Sequence, residues 1–270
     1  MIAYAEERKR ALIMAYKIVF FDIDGTLLDE EKKLPEDAVD AIRKLKESGV
    51  EPVIATGRAP YFFQPIAEKL GIDSWVCLNG AYVVYRGEEV YQRTIPLADL
   101  EKLVELSSRN GHPLVFEGKH NYYASEEGHT AVFDSIESLK VRHPEVNPSF
   151  WRTESVFQVF LHCESHEEHA YPGELPNLRF VRWHKNAMDV LTSTGSKADG
   201  IQALLATLGI KPEEAVAFGD GLNDKEMLEL VGLGIAMGNS HEQLLPFADY
   251  VTTRVDEGGV RNGLVYAGLL

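Results

Sequence analysis

Two cysteines in 270 residues, Cys77 and Cys163, share no ligand-like spacing, which excludes both a disulfide framework and a cysteine-built zinc site. A reducing cytoplasm fits that usage. No apolar run approaches the roughly 18 residues that a membrane-spanning helix needs, so a soluble protein is expected. Cations are also scarce: 27 Lys and Arg stand against 42 Asp and Glu, a formal net charge of -15. Binding to a phosphate backbone or an anionic membrane relies on clustered basic residues, so neither nucleic acid nor membrane is expected as a partner. A small anionic substrate would then need local cations or a metal. Internal repeats and low-complexity tracts are absent too, and oligomeric state cannot be read. The first residues carry charges (Glu6 to Arg10) before a short apolar patch. It is too short for a signal peptide and has no cleavage site, so residues 1–13 read as an upstream extension.

What is present is an apolar run that stops abruptly at two carboxylates, Lys17-Ile18-Val19-Phe20-Phe21-Asp22-Ile23-Asp24-Gly25-Thr26. The run from Ile18 to Phe21, just before Asp22, lacks the polar alternation of a half-exposed strand, which suits a central strand covered on both faces. Asp22 and Asp24 then emerge at its carboxyl end, where open α/β sheets place ligands. Two acids that close repel each other and hold on to protons unless a cation lies nearby.

A helix opening at Pro35 and closing at Gly49 follows, with Ala38, Ile42 and Leu45 on one face. Pro52 to Ala55 reads as a second buried strand ending in Thr56-Gly57-Arg58, so strand, helix and strand form a right-handed parallel unit. A helix over 60–70 and a short strand Trp75 to Leu78 lead to Asn79-Gly80. The pattern then changes to a hairpin around Arg86-Gly87-Glu88, a helix Ala98 to Arg109 and short strands at 114–117, 122–125, 156–162 and 178–183, an antiparallel α+β grammar. Parallel grammar is expected to return at Ala187 to Leu191. A helix from Lys197 to Leu208 and the strand Ala215 to Phe218 follow, the latter ending at Gly219-Asp220-Gly221-Leu222-Asn223-Asp224. Further elements are expected at 224–230, 234–237, from about Ser240, at 250–252 and from Val260. About 100 residues therefore read as a module inserted into a doubly wound domain: 1–84 and 186–270 as core, 85–185 as insert.

Asp-x-Asp-Gly-Thr, Thr-Gly-Arg, a lone Lys and Gly-Asp-Gly-x-Asn-Asp, in that order, resemble the four motifs of the haloacid dehalogenase superfamily of phosphohydrolases. The insertion between the second and third, entered through Asn79-Gly80-Ala81, is similar to the Cof-type branch. The resemblance implies a Rossmann-like parallel-sheet core with a C2-type α+β cap, closing over Asp22 and reading the leaving group. It implies a phosphatase for a small phosphorylated metabolite such as a sugar phosphate, nucleotide or cofactor phosphate. By the same resemblance Asp22 is the nucleophile. The Asp22 and Asp220 side chains and the Asp24 carbonyl hold Mg²⁺, and the Asp24 side chain carries the proton. Ile23, Thr56, Gly57, Lys197 and Asn223 bind phosphate, Asp224 acts from behind, and Arg58, Asn79 and Gly80 form a possible substrate loop.

Each position has a plainer reading. Asp-x-Asp at a strand end is often a turn, Thr56-Gly57-Arg58 a connecting loop, and Lys197 a solvated helix start; only their joint order outweighs this. His162, His166 and His169 among Glu164, Glu167 and Glu168 match no zinc spacing and read as polar surface. Two rival functions use the same intermediate. A phosphomutase or phosphotransferase would pass the phosphoryl group to a second hydroxyl. A phospho-aspartate switch would hold it, but has no use for Asp24 or for an insert of this size.

Overall fold

The computed structural model describes residues 16–270, and the expected extension at residues 1–13 lies outside the described residues. The chain forms two compact units. One holds residues 16–57, Phe63–Tyr91 and Ser196–Leu270; the other holds Arg58–Phe62 and Gln92–Gly195.

The first unit is built on an eight-stranded sheet. Six strands run parallel, in the order β14 (Tyr250–Val251), β13 (Leu233–Ala236), β12 (Ala215–Gly219), β1 (Ile18–Phe21), β2 (Glu51–Ala55) and β3 (Trp75–Cys77). Antiparallel β4 (Tyr82–Tyr85) and then β5 (Glu88–Gln92) complete it. All four residues of β1 are fully buried, because helices cover both of its faces. Ile18 and Phe20 pack with Ile201, Leu204 and Leu205 of α6 (Lys197–Leu208) and with Met227 and Leu228 of α7 (Lys225–Leu230). On the opposite face Phe21 stacks on Phe218, with Gly263 of α8 (Gly259–Tyr266) against the Phe218 ring. Helix α1 (Glu36–Glu47) buries Ala38, Ala41, Ile42 and Leu45, the face that its apolar spacing predicts, while α2 spans Pro60–Leu70. Because β1 lies between β2 and β12, the ends of the three strands that carry acids and Thr56 sit side by side at one sheet edge.

The second unit has a six-stranded sheet in the order β10 (Leu178–His184), β11 (Ala187–Thr192), β9 (Gln158–Leu161), β6 (Leu114–Glu117), β7 (Tyr122–Ala124) and β8 (Glu145–Val146). Every pairing is antiparallel except β7 with β8. Its helices are α3 (Leu97–Asn110), α4 (Thr130–Ser138) and the one-turn α5 (Phe150–Thr153). The expected return to parallel grammar at Ala187 is corrected here: β11 is an antiparallel central strand of this sheet. Burial on both faces, not strand direction, erased its alternation. The helix expected from about Ser240 is also absent. Its amides are spent elsewhere, Ser240 on the Met237 carbonyl and His241 on the Asp220 carbonyl, and only a 3-10 turn forms at Leu245–Phe247.

His162 is not on the polar surface where the sequence suggests it, whereas His166 and His169 are exposed. Its Nδ1 donates to the Pro113 carbonyl at 3.2 Å, and its Nε2 shares a 2.9 Å hydrogen bond with the Ser135 hydroxyl. Burial pushes its pKa down from 6.5 to about 4. Below pH 6.5 the unfolded ring takes a proton that the folded ring refuses until about pH 4. Stability from this group is therefore full above pH 6.5 and falls by about 3 kcal/mol across that interval. Fully buried Glu117 has the opposite sign. Burial and then nearby Asp189 raise its pKa well above the ordinary value, so stability present below pH 4.5 is lost as pH rises. A heat-unfolding series over pH is expected to lose its steep acid limb in His162→Gln, which has no ring to protonate. An unchanged acid limb in that variant would contradict the assignment.

Candidate active site

Asp22 continues β1 by one residue, its amide donating to the Phe218 carbonyl at 3.0 Å. Beside it lies Lys197, whose ammonium is completely buried and donates to Asp22 Oδ1 and Asp224 Oδ1, each at 2.6 Å. Lys197 reaches this position as the first residue of α6. Ser196 caps that helix by accepting from the Asp199 amide, so the lysine springs from a fixed helix start. Asp224 has both oxygens in use, since Oδ2 accepts the amides of Asp220 and Gly221, each at 2.9 Å. It therefore braces the loop after β12 while holding the lysine.

Asp220 completes the acidic group. Ligand atoms of Asp22, Asp220 and Asp224 lie within 4.8 Å of one another, the one such cluster among the described residues. Thr26 donates from its hydroxyl to Asp220 Oδ1 at 3.2 Å. Gly25, at φ +77°, passes so close that a Cβ would overlap the Asp220 carboxylate, which explains glycine at this point of the motif. Burial, then repulsion from Asp22 and Asp224, lifts Asp220 to about 8. Asp22 rises to about 7, burial together with Asp224 and Asp24 outweighing the pull of Lys197. Burial alone would lower Lys197, but the two carboxylates hold it above its ordinary value and keep it charged. Two carboxyls this reluctant to ionise side by side, one buried and one half-buried, are the donor set that a divalent cation satisfies. Asp22 and Asp220 would hold it, and Asp224, already fully bonded, would not.

The second group gathers around Asn79. Leu78, Asn79 and Gly80 are three consecutive residues at positive φ, +52°, +50° and +88°. The turn is pinned on one side by the Asn79 amide donating to the Thr56 carbonyl at 3.1 Å. On the other, Gly80 lies so close to the Ser196 carbonyl that no Cβ fits. Asn79 thereby sits against Gly57 and accepts from Asn223 Nδ2 at 3.2 Å. One strained turn thus ties Thr56 and Gly57, the start of α6 and Asn223 together. Strain of this kind persists where surrounding structure over-determines it. Ile23 is buried between the two acids, its carbonyl accepting from the amides of Leu27 and Leu28. Asp24 is bonded at 2.5 Å by Lys32, a residue with no sequence signal. Arg58 is buried and groups with the second unit. Asn239 also escaped the sequence: its Nδ2 donates to the Gly25 carbonyl at 2.8 Å while its Oδ1 accepts from the Val255 amide.

A family model described as haloacid dehalogenase-like hydrolase matches residues 19–264. The chain belongs to that family. As a haloacid dehalogenase-like hydrolase it is similar to the putative phosphatase YkrA of Bacillus subtilis, with 39% identity over 257 residues covering 95% of this chain and 100% of the relative. Among solved structures, a hypothetical protein from Geobacillus kaustophilus is 47% identical with a TM-score of 0.89, covering 94% of this chain and 100% of that one. A subclass IIB sugar phosphatase of the same superfamily is 29% identical with a TM-score of 0.85, over 94% and 100% of the two chains. This haloacid dehalogenase-like hydrolase is thus a phosphatase of the Cof type, with a doubly wound parallel core and an inserted cap. Phosphatases of this family act on small phosphorylated substrates and generally use a divalent metal, and Asp22, Asp220 and Asp224 form an acidic cluster that could hold one. None of the described helices is long and apolar enough to cross a membrane.

Proposed function

We infer that this enzyme hydrolyses the monoester of a small phosphorylated metabolite in two displacements at phosphorus, with Mg²⁺ as its metal. The observation that carries the reading is the buried Asp22–Lys197–Asp224 chain beside Asp220, which offers one carboxylate as nucleophile and a fixed cation next to it. In the first displacement an Asp22 oxygen bonds to phosphorus while the bond from phosphorus to the leaving oxygen breaks. Asp24 gives that oxygen a proton. In the second, water attacks phosphorus, Asp24 takes its proton, and the bond to Asp22 breaks, freeing phosphate and restoring both carboxyls. Lys197, the hydroxyl of Thr56, the amides of Ile23 and Gly57 and the Asn223 side chain stabilise charge on the phosphoryl oxygens without having to reorganise. The Asp22 and Asp220 carboxylates and the Asp24 carbonyl would hold Mg²⁺, which when bound would neutralise charge as one anion approaches another.

The test is phosphate release from a panel of phosphorylated metabolites, beginning with sugar phosphates because one structural relative is a sugar phosphatase. Mg²⁺ at one hundred times its dissociation constant is expected to stabilise the protein by about 2.7 kcal/mol against heat, and EDTA to abolish both that gain and turnover. Turnover that survives chelation removes the metal from the account. Phosphate appearing only when a second hydroxyl compound is added would favour a phosphotransferase instead.

A further inference from the structure

The turn after the nucleophile strand holds a contact that neither stability nor the family motifs explain. Lys32 stands at φ +61°, in the left-handed region that a long side chain rarely adopts. The turn is closed on both sides: the Lys32 amide donates to the Asp29 carbonyl and the Asp29 amide to the Lys33 carbonyl, each at 3.0 Å. The Lys33 amide then donates to Asp29 Oδ1 at 2.8 Å. From this frame Lys32 Nζ reaches Asp24 Oδ1 at 2.5 Å, and both residues line a cleft of about 470 Å³ that Asp220 and Asn239 also line.

The balance of magnitudes decides what the contact is for. A left-handed L-residue costs roughly 1–2 kcal/mol, which glycine would avoid. The pair is partly solvated, with the side chains 26% and 36% exposed, and an exposed ion pair returns about 1 kcal/mol at most. Asp24 is open enough for water to satisfy it, so the ammonium is not needed to rescue a buried charge. The turn therefore spends conformational energy without a matching gain in stability, the pattern expected where backbone strain serves function.

The geometry points to Lys32 as a positioning residue for proton transfer: its ammonium fixes the Asp24 carboxyl, through the left-handed Asp29–Lys33 turn, in the orientation that meets the leaving oxygen. This rests on the reading of Asp24 as the acid that protonates the leaving group. Misplacing a reacting group by about 1 Å can cost on the order of a hundredfold in rate. The cost is largest where proton delivery matters most, with poor leaving groups.

Lys32→Gly removes the ammonium while relieving the backbone, so loss of folding does not confuse its outcome; its heat-unfolding midpoint is expected to stay level or rise. The readout is kcat/KM along the series p-nitrophenyl, phenyl and ethyl phosphate, which reports steps up to loss of the leaving group. Lys32→Gly is expected to lose at least about tenfold more on ethyl than on p-nitrophenyl phosphate, and Lys32→Arg to recover part of the difference. Asp24→Asn run beside it separates the two layers of the argument. A uniform loss along the series in Lys32→Gly, with a graded loss in Asp24→Asn, overturns the role of Lys32 alone. A uniform loss in Asp24→Asn overturns the acid assignment and the proposal with it.

Discussion

Asp22→Asn is expected to lower kcat by at least about 10⁴-fold while leaving the protein folded. Asparagine has the size and shape of the aspartate it replaces, so the close packing around β1 is kept. Lys197 retains its 2.6 Å bond to Asp224, and no charge is stranded. What disappears is the carboxylate that bonds to phosphorus and leaves again. The remaining donors around Thr56, Asn223 and Lys197 can still bind phosphate, so weakened but measurable binding of inorganic phosphate is expected beside the lost turnover. Assay of kcat together with the heat-unfolding midpoint checks both halves. A variant that turns over within tenfold of wild type would move the nucleophile elsewhere.

Lys197→Met should damage stability and activity together. Lys197 and Asp224 are wholly buried and Asp22 nearly so. Removing the cation leaves two carboxylates facing each other in a low-dielectric interior, a change that typically costs about 3–5 kcal/mol. Phosphoryl oxygens also lose a fixed donor, which in comparable sites costs about 10²–10³-fold in kcat. Adding Asp224→Asn removes one stranded charge, so the double variant is expected to regain part of the stability and none of the rate. Heat unfolding and kcat measured on wild type, both single variants and the double variant form a complete cycle. Full recovery of rate in the double variant would reduce Lys197 to a structural counterion.

Much of this core was legible in the sequence because each motif packs its chemistry into a short run. Asp22, Asp24, Thr56 and Asp220 follow apolar stretches too short and too uniformly buried to be anything but central strands, and parallel order brings their ends together. What stayed hidden depended on the third dimension. Lys32 lies in a polar stretch where nothing distinguishes it from Lys33, and its importance comes from one backbone angle and one ion pair. Asn79 and Gly80 read from the sequence either as a tight turn or as a substrate loop, whereas the structure makes them, with Leu78, three successive left-handed residues wedged between Thr56 and Ser196. Asn239 braces the Gly25 loop across 214 positions of sequence. In the cap, β11 lost its alternation by being buried on both faces, and α4 was not foreseen. Its N-terminus is capped by His129, a residue outside the usual signals.

The claim at the centre of this account is that a phosphoryl group passes through Asp22. Rapid acid quench of enzyme mixed with excess p-nitrophenyl phosphate and Mg²⁺, followed by mass spectrometry of the peptide that carries Asp22, tests it most directly. The account predicts one phosphoryl group on Asp22, formed within a single turnover, absent with EDTA and absent from Asp22→Asn. Steady turnover with Asp22 unmodified at every quench time, and the phosphoryl group found on another residue, would contradict it.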